Sequence, residues 1–215
     1  IRIEEGGDFR QSASWAERQL IQRLHETLLS TPTALGYVTK TRGWQLATVR
    51  SARLGFMPAD KRKLLADLNL GDKWRTVIAK FPAGMLVYVH LERGRLGYLS
   101  GRSISGKQHY NPPRELIGER RPYGNHLYTP EADQLVLVEG QADAITFGEW
   151  GFPTLAVAGM HVSDDLLTAL RKHRRVFVAL DNTPDALQKN QELAQQLGKI
   201  ALTPRLPNEV KDAND

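Results

Sequence analysis

Apolar residues at Trp15, Leu20, Ile21, Leu24 and Leu28 recur at close to helical spacing, which predicts a helix over 15–29. Ser14 stands where an N-cap belongs, and Glu17, three residues on, would complete a capping box. Thr33 to Arg42 predicts a second, short helix ending at Gly43. Gln45 to Arg53 predicts a third, leading into the apolar stretch Leu54-Gly55-Phe56-Met57-Pro58. Asp60 to Leu68 predicts a helix with a basic face of Lys61, Arg62 and Lys63. Residues 1–10 are polar, contain Gly6-Gly7 and read as a linker or frayed end. The first third of the chain therefore reads as a small helical subdomain.

The texture changes near Met85. Met85 to Leu91 is a β-rich run, Glu92-Arg93-Gly94-Arg95 is a turn, and Leu96 to Leu99 is a second strand, so the pair predicts a hairpin. Ser100 to Pro113 is rich in Gly, Ser and Pro and reads as a basic loop. From Gln134 short apolar runs alternate with helical segments. Strands are predicted at 135–138, 154–157, 176–180 and 200–202, and helices at 142–150, 164–173 and 186–197. Uninterrupted apolar runs between helices are the pattern of a parallel sheet covered on both faces. The expected fold class is α/β (α+β overall): a small helical and β-hairpin subdomain, then a Rossmann-like parallel sheet. The expected domains are a linker and leading helix over 1–32, a basic N-terminal subdomain over 33–130, and the parallel-sheet domain over 131–215. No internal repeat or low-complexity segment interrupts this order.

Composition narrows the chemistry. Of 215 residues, 41% are hydrophobic and 25% charged, the balance of an ordinary globular protein. The absence of cysteine excludes disulfides and cysteine-ligated zinc or iron-sulfur sites within the chain, and fits a cytoplasmic setting. No run approaches the roughly 18 apolar residues of a membrane span. No signal peptide is recognisable, and a start at Ile1 without Met leads us to expect a fragment of something longer. Ile1 to Pro130 carries 21 basic and 11 acidic residues, a net of +10, whereas Glu131 to Asp215 carries 8 and 13, a net of −5. A basic front beside an acidic back points to a polyanionic partner and a metal site.

Three acidic features fall at the carboxyl ends of predicted strands, where open parallel sheets build their sites. Glu139 follows Leu135-Val136-Leu137-Val138, Asp181 follows Val176 to Leu180, and Asp212 and Asp215 sit in the terminal segment. Asp143 lies one helical turn beyond Glu139, on the same face. Converging carboxylates repel one another, and a hard divalent cation, Mg²⁺ or Mn²⁺, relieves that repulsion with oxygen ligands. Each acid taken alone also fits a helix cap, where the helix dipole favours negative charge.

The segment Val138-Glu139-Gly140-Gln141-Ala142-Asp143-Ala144 resembles the first motif of the TOPRIM fold, shared by DnaG-type primases, type IA and type II topoisomerases and some nucleases. Thr154 to Gly159 is similar to that family's second strand and glycine turn, and Val176 to Asp181 to its third strand and metal-binding Asp. Leu206 to Asp215 resembles the end of the primase site, especially in phage helicase-primases. Upstream, Tyr37 to Trp44 with Arg53 to Pro58 resembles the start of the DnaG-type polymerase core. Leu96 to Arg102 with Lys107-Gln108-His109-Tyr110-Asn111 resembles its basic template and nucleotide segment, one residue longer than the motif from Lys107 to Asn111. Pro122 to Tyr128 resembles the link into the TOPRIM domain. The family normally reads Asp-x-Asp after the third strand; here Asp181-Asn182-Thr183 places a hydroxyl where the second carboxylate belongs, and the glycine of the following turn is missing. Asp185 is the alternative acid, with Pro184 constraining its geometry, while Asn182 to Asp185 also reads as a helix cap.

The resemblance implies a primase core that makes short primers on single-stranded DNA from nucleoside triphosphates. Glu139 and Asp181 would be catalytic, and Glu139, Asp143, Asp181, Asp212 and Asp215 would hold Mg²⁺ or Mn²⁺. Arg42, Arg93, Arg95, Arg102, Lys107, Tyr110 and Asn111 would guide template or nucleotide. Arginine suits bidentate phosphate binding, and Tyr110 and Trp44 are candidates to stack bases, with core packing the alternative for Trp44. Lys61-Arg62-Lys63 reads as a solvated face, and His109 and His161 as loop histidines, with substrate contact the alternative for His161. A zinc module and a replicative helicase, fused or separate, are the implied partners outside the fragment. Two rivals stand: a degenerate primase-like module that binds nucleic acid without synthesis, for which Thr183 speaks, and a TOPRIM nuclease or topoisomerase, against which the upstream block speaks.

Overall fold

The computed structural model describes residues 15–92, 94–124, 132–159 and 162–204. Ser14, Arg93, His161, Asp212, Asp215, the linker over 1–10 and the pair Leu127-Tyr128 lie outside the described residues. The chain divides into two compact units, one spanning Gly7–Arg120 and the other containing Arg121–Asp215.

In the unit that comes first along the chain, helix α1 (Trp15–Ser30) buries Leu20, Ile21, Leu24 and Leu28. A short helix α2 (Pro32–Gly36) continues into a π-helical turn over Tyr37–Thr41 and stops at Gly43, whose φ of 75° is the left-handed conformation glycine tolerates. Helix α3 (Leu46–Ser51) leads into strand β1 (Gly55–Phe56). At Gly55 a Cβ would lie 2.7 Å from Leu24 Cβ, so the missing side chain is what lets α1 lie against β1.

The basic helix predicted over 60–68 is shorter than expected. Only α4 (Arg62–Leu65) is helical, and Asp67 turns left-handed with φ 57°. Side chains from elsewhere close its end: Arg23 donates to the carbonyls of Lys63, Leu64 and Ala66. Asp60 accepts from the Arg62 amide and guanidinium at 3.0 Å, and these bonds hold its carboxyl at about 2. Lys61 points back to the carbonyls of Ala79 and Phe81, and burial lowers its ammonium from the usual range. Those carbonyls end helix α5 (Asp72–Lys80), an element the sequence reading passed over.

Strands β2 (Met85–Glu92) and β3 (Arg95–Ser103) form the predicted hairpin, but β3 runs four residues further than expected. The segment read as a loop also contains β4 (His109–Tyr110), which pairs with β3 through Gly101↔Tyr110 and Arg102↔His109. The result is an antiparallel sheet in the order β1-β2-β3-β4. A short helix α6 (Arg114–Ile117) follows.

The other unit is a parallel sheet in the order β6-β5-β7-β8, from β5 (Gln134–Val138), β6 (Thr154–Ala156), β7 (Arg175–Ala179) and β8 (Ala201–Leu202). The connections are α7 (Gln141–Glu149), α8 (Asp164–Leu170) and α9 (Pro184–Leu197). Leu135, Leu137, Leu155 and Val178 from the strands pack with Leu166, Leu170, Leu193 and Leu197 from α8 and α9. Burying each such side chain contributes roughly 1.5–3 kcal/mol. The edge beside β6 is covered by Tyr123, which exchanges two backbone hydrogen bonds with Ala156 at 2.9 and 2.7 Å.

Candidate functional site

Register brings two predicted acids to one end of the sheet. Val138 of β5 pairs with Ala179 of β7, so Glu139 and Leu180 stand at the same level of neighbouring strands and Asp181 follows one residue on. Adjacent strands lie roughly 4.8 Å apart. On the other side, the Val157 amide donates to Val138 O and the Ala158 amide to Glu139 O, both at 2.9 Å. Ala158 and Gly159 then turn with left-handed φ of 54° and 71°. Glu139 is half-buried on the wall of a cavity of about 320 Å³, shared with Val157, Gly159, Val162, Leu180, Lys189, Glu192, Leu193 and Gln196.

Asp143 occupies the first turn of α7 and is only 7% exposed. A Cβ on Gly140 would lie 2.8 Å from Asp143 Oδ2, so the carboxylate folds back over the helix start. This is the placement of a capping acid at a positive helix end. Asp181 is half-buried, and its position is fixed from behind by a residue the sequence reading missed: Asn190, 4% exposed, accepts the Leu180 amide on Oδ1 at 3.2 Å. A buried asparagine within an amphipathic helix is the signal that marks it.

Thr183 caps α9. Its hydroxyl accepts the Ala186 amide at 3.3 Å, with Pro184 in the first helical turn. Asp185 is exposed in that same turn. Carboxylates are hard oxygen donors that suit Mg²⁺, so Glu139, Asp143 and Asp181 have the right chemistry for it. Among the described residues no group of three acidic or histidine side chains closes into a metal site.

In the other unit the basic candidates separate into groups. Arg102, Lys107, Tyr110 and Asn111 gather on β3, β4 and the turn between them, which the Ser103 amide closes by donating to Gln108 O at 2.9 Å. Arg102 is half-buried, and its Nε is buried without a hydrogen-bond acceptor among the described residues. Lys107 is exposed. Tyr110 sits edge-on to Phe81 with ring centroids 4.7 Å apart, and burial raises its hydroxyl. Asn111 Oδ1 accepts from the Tyr98 hydroxyl at 3.4 Å. Arg95 lies at the far end of β3 and pairs with Glu17 of α1 at 3.5 Å. Arg42 clasps Tyr37, donating to its hydroxyl from Nε at 3.0 Å and Nη2 at 2.8 Å. Trp44 is 2% exposed and belongs to the core, so it offers no ring for a base. His109 is exposed on β4; of the predicted solvated run, Arg62 (91% exposed) and Lys63 face solvent, while Lys61 is half-buried against the carbonyls of Ala79 and Phe81.

No family model matches the sequence, and no curated protein matches it. Solved structures do. The chain is similar to the Aquifex aeolicus primase fragment with zinc-binding and RNA polymerase domains, at TM-score 0.73 and 21% identity over 93% of this chain and 55% of that one. It is similar to the RNA polymerase domain of Mycobacterium tuberculosis DnaG at TM-score 0.74 and 18% identity, over 91% and 75%. It is also similar to a DnaG primase catalytic domain bound to ssDNA, at TM-score 0.62 and 20% identity, over 83% and 67%. The chain thus has the α/β fold of DnaG-type primase catalytic cores and spans about half the length of the Aquifex fragment. Among the described residues no helix is long and apolar enough to cross a membrane.

Proposed function

We propose that the chain is the catalytic core of a DNA primase, with a TOPRIM domain over 131–215, that joins nucleoside triphosphates on a single-stranded DNA template. The observation that carries this reading is the register that sets Glu139 and Asp181 at adjacent strand ends in a primase-core fold. In the reaction a 3′-hydroxyl oxygen attacks the α-phosphorus, the bond to pyrophosphate breaks, and the hydroxyl proton leaves to a base. Glu139 is the carboxylate assigned to that proton or to metal positioning. Glu139, Asp143 and Asp181, with Asp212 and Asp215 from outside the described residues, would hold Mg²⁺ or Mn²⁺. The cation would supply charge neutralisation on the triphosphate.

Arg102 and Lys107 receive the template backbone, with Tyr110 and Asn111 beside them; Arg42, Arg93 and Arg95 are secondary contacts. The placement of half-buried Arg102 and exposed Lys107 on one β-hairpin turn supports this assignment, because a guanidinium and an ammonium both suit phosphate oxygens. A DnaG catalytic domain solved with ssDNA supports the choice of template. A zinc-binding module and a replicative helicase, in the same polypeptide or apart, complete the proposed assembly in the cytoplasm.

Primer synthesis on mixed single-stranded templates with labelled nucleotides and Mg²⁺ or Mn²⁺, beside Glu139→Gln, tests the reading. Short products that vanish in the variant support it. DNA binding that is intact and indifferent to Mg²⁺, with no products even when a primase zinc module is added, favours the module that binds without synthesis. The capping role of the Thr183 hydroxyl is the observation behind that second reading.

A further inference from the structure

Lys189 lies on α9, a turn and a half beyond its Thr183 cap, and lines the same cavity as Glu139. Its ammonium has no hydrogen-bond or ion-pair partner among the described residues. The remaining polar wall is Glu192 and Gln196. The Glu192 carboxylate stays on that wall and accepts from Gln188 at 2.9 Å, a bond that occupies one of its oxygens. Val157, Val162, Leu180 and Leu193 supply apolar walls.

The neighbouring charge balance gives this cation a purpose. Where the fold's resemblance calls for a second carboxylate, Thr183 contributes none, and its oxygen is already bonded to the Ala186 amide. A site with one acid fewer gathers less divalent charge against an incoming polyphosphate. A lysine on the same helix restores one positive charge without needing a metal ligand.

We infer that Lys189 is a nucleotide-positioning residue: it binds the phosphates of a nucleoside triphosphate in the cavity between α9 and Glu139, adding positive charge where Thr183 offers no carboxylate to hold a metal. The inference rests on the primase reading for the identity of the anion, and on the cavity for its location. Lys189 touches phosphate oxygens and leaves the transfer itself to the strand-end acids. Because it is exposed on a helix surface, its replacement leaves folding intact.

The test measures binding of ATP with Mg²⁺ by calorimetry, and primer synthesis in parallel, for the wild type, Lys189→Gln and Lys189→Arg. The expected result is a roughly tenfold weaker nucleotide affinity and a matching rise in KM for Lys189→Gln, with kcat and single-stranded DNA affinity unchanged, and recovery in Lys189→Arg. Synthesis by the wild type with unaltered affinity and KM in Lys189→Gln overturns the inference and leaves the primase reading standing. No synthesis by the wild type, with ATP binding that depends on Lys189, overturns the primase reading and leaves the inference standing. No ATP binding by the wild type overturns the inference by itself.

Discussion

Asn190 accepts the backbone amide of Leu180 at 3.2 Å, and this one bond ties helix α9 to the end of β7 immediately before Asp181. Both partners are buried, so neither has water as a substitute. Asn190→Ala leaves the Leu180 amide without its acceptor, and the expected loss is about 1–3 kcal/mol of stability. Denaturant unfolding measures it. Asn190→Asp keeps an acceptor at the same place and is expected to retain more of the stability than Asn190→Ala.

Thr183 offers a two-sided prediction. Thr183→Ala removes the cap oxygen and is expected to cost about 1 kcal/mol, read as a lower unfolding midpoint. Thr183→Asp keeps a capping oxygen and adds a carboxylate beside Asp181. Its expected outcome is unchanged stability with tighter Mn²⁺ binding, measured by titration against the free ion.

Gly140 leaves room for Asp143. A Cβ there meets Asp143 Oδ2 at 2.8 Å, while the Gly140 φ of −106° suits any residue. Gly140→Ala is therefore expected to displace the carboxylate rather than strain the backbone. The measurable outcome is reduced divalent-metal affinity with far-ultraviolet circular dichroism unchanged.

Gly101 is a packing position on β3. A Cβ there lies 2.7 and 2.8 Å from two ring carbons of Phe81 and 3.0 Å from Met85 Sδ. Gly101→Ala is expected to destabilise by roughly 1–3 kcal/mol through overpacking. The same shift pushes Phe81 against Tyr110, so DNA affinity is expected to fall with stability.

Two tyrosines set an alkaline limit. Burial raises the hydroxyls of Tyr98 and Tyr110 from their usual value of 10.0. Near pH 10 the unfolded chain therefore loses these protons before the folded one does. Stability is at its full value below that pH and falls as pH climbs through the raised folded values. Unfolding midpoints across pH 9–11 are expected to drop less steeply in Tyr110→Phe than in the wild type.

The parallel sheet was legible in the sequence because buried strands appear as unbroken apolar runs, and Leu135–Val138 and Val176–Leu180 have no polar interruption. Glu139 and Asp181 were legible for the same reason, since they are the first acids after those runs. Helix α5 left a compact signal, with Trp74, Val77, Ile78 and Phe81 at helical spacing, that a nine-residue helix shows only briefly. Strand β4 left none: His109-Tyr110 becomes a strand by pairing with Arg102 and Gly101, which is a tertiary fact. Trp44 carries no periodicity of its own, so its burial is equally tertiary. Lys189 reads in the sequence as a surface lysine, and only the packing of α9 sets it on the cavity wall beside Glu139.

The most direct test of the central claim is formation of the first labelled dinucleotide on single-stranded DNA, with template binding measured on the same samples. The proposed reaction centre at the ends of β5 and β7 predicts product from the wild type. It predicts about a hundredfold less from both Glu139→Gln and Asp181→Asn, with DNA affinity unchanged. Product formation at the wild-type rate in either variant would contradict it.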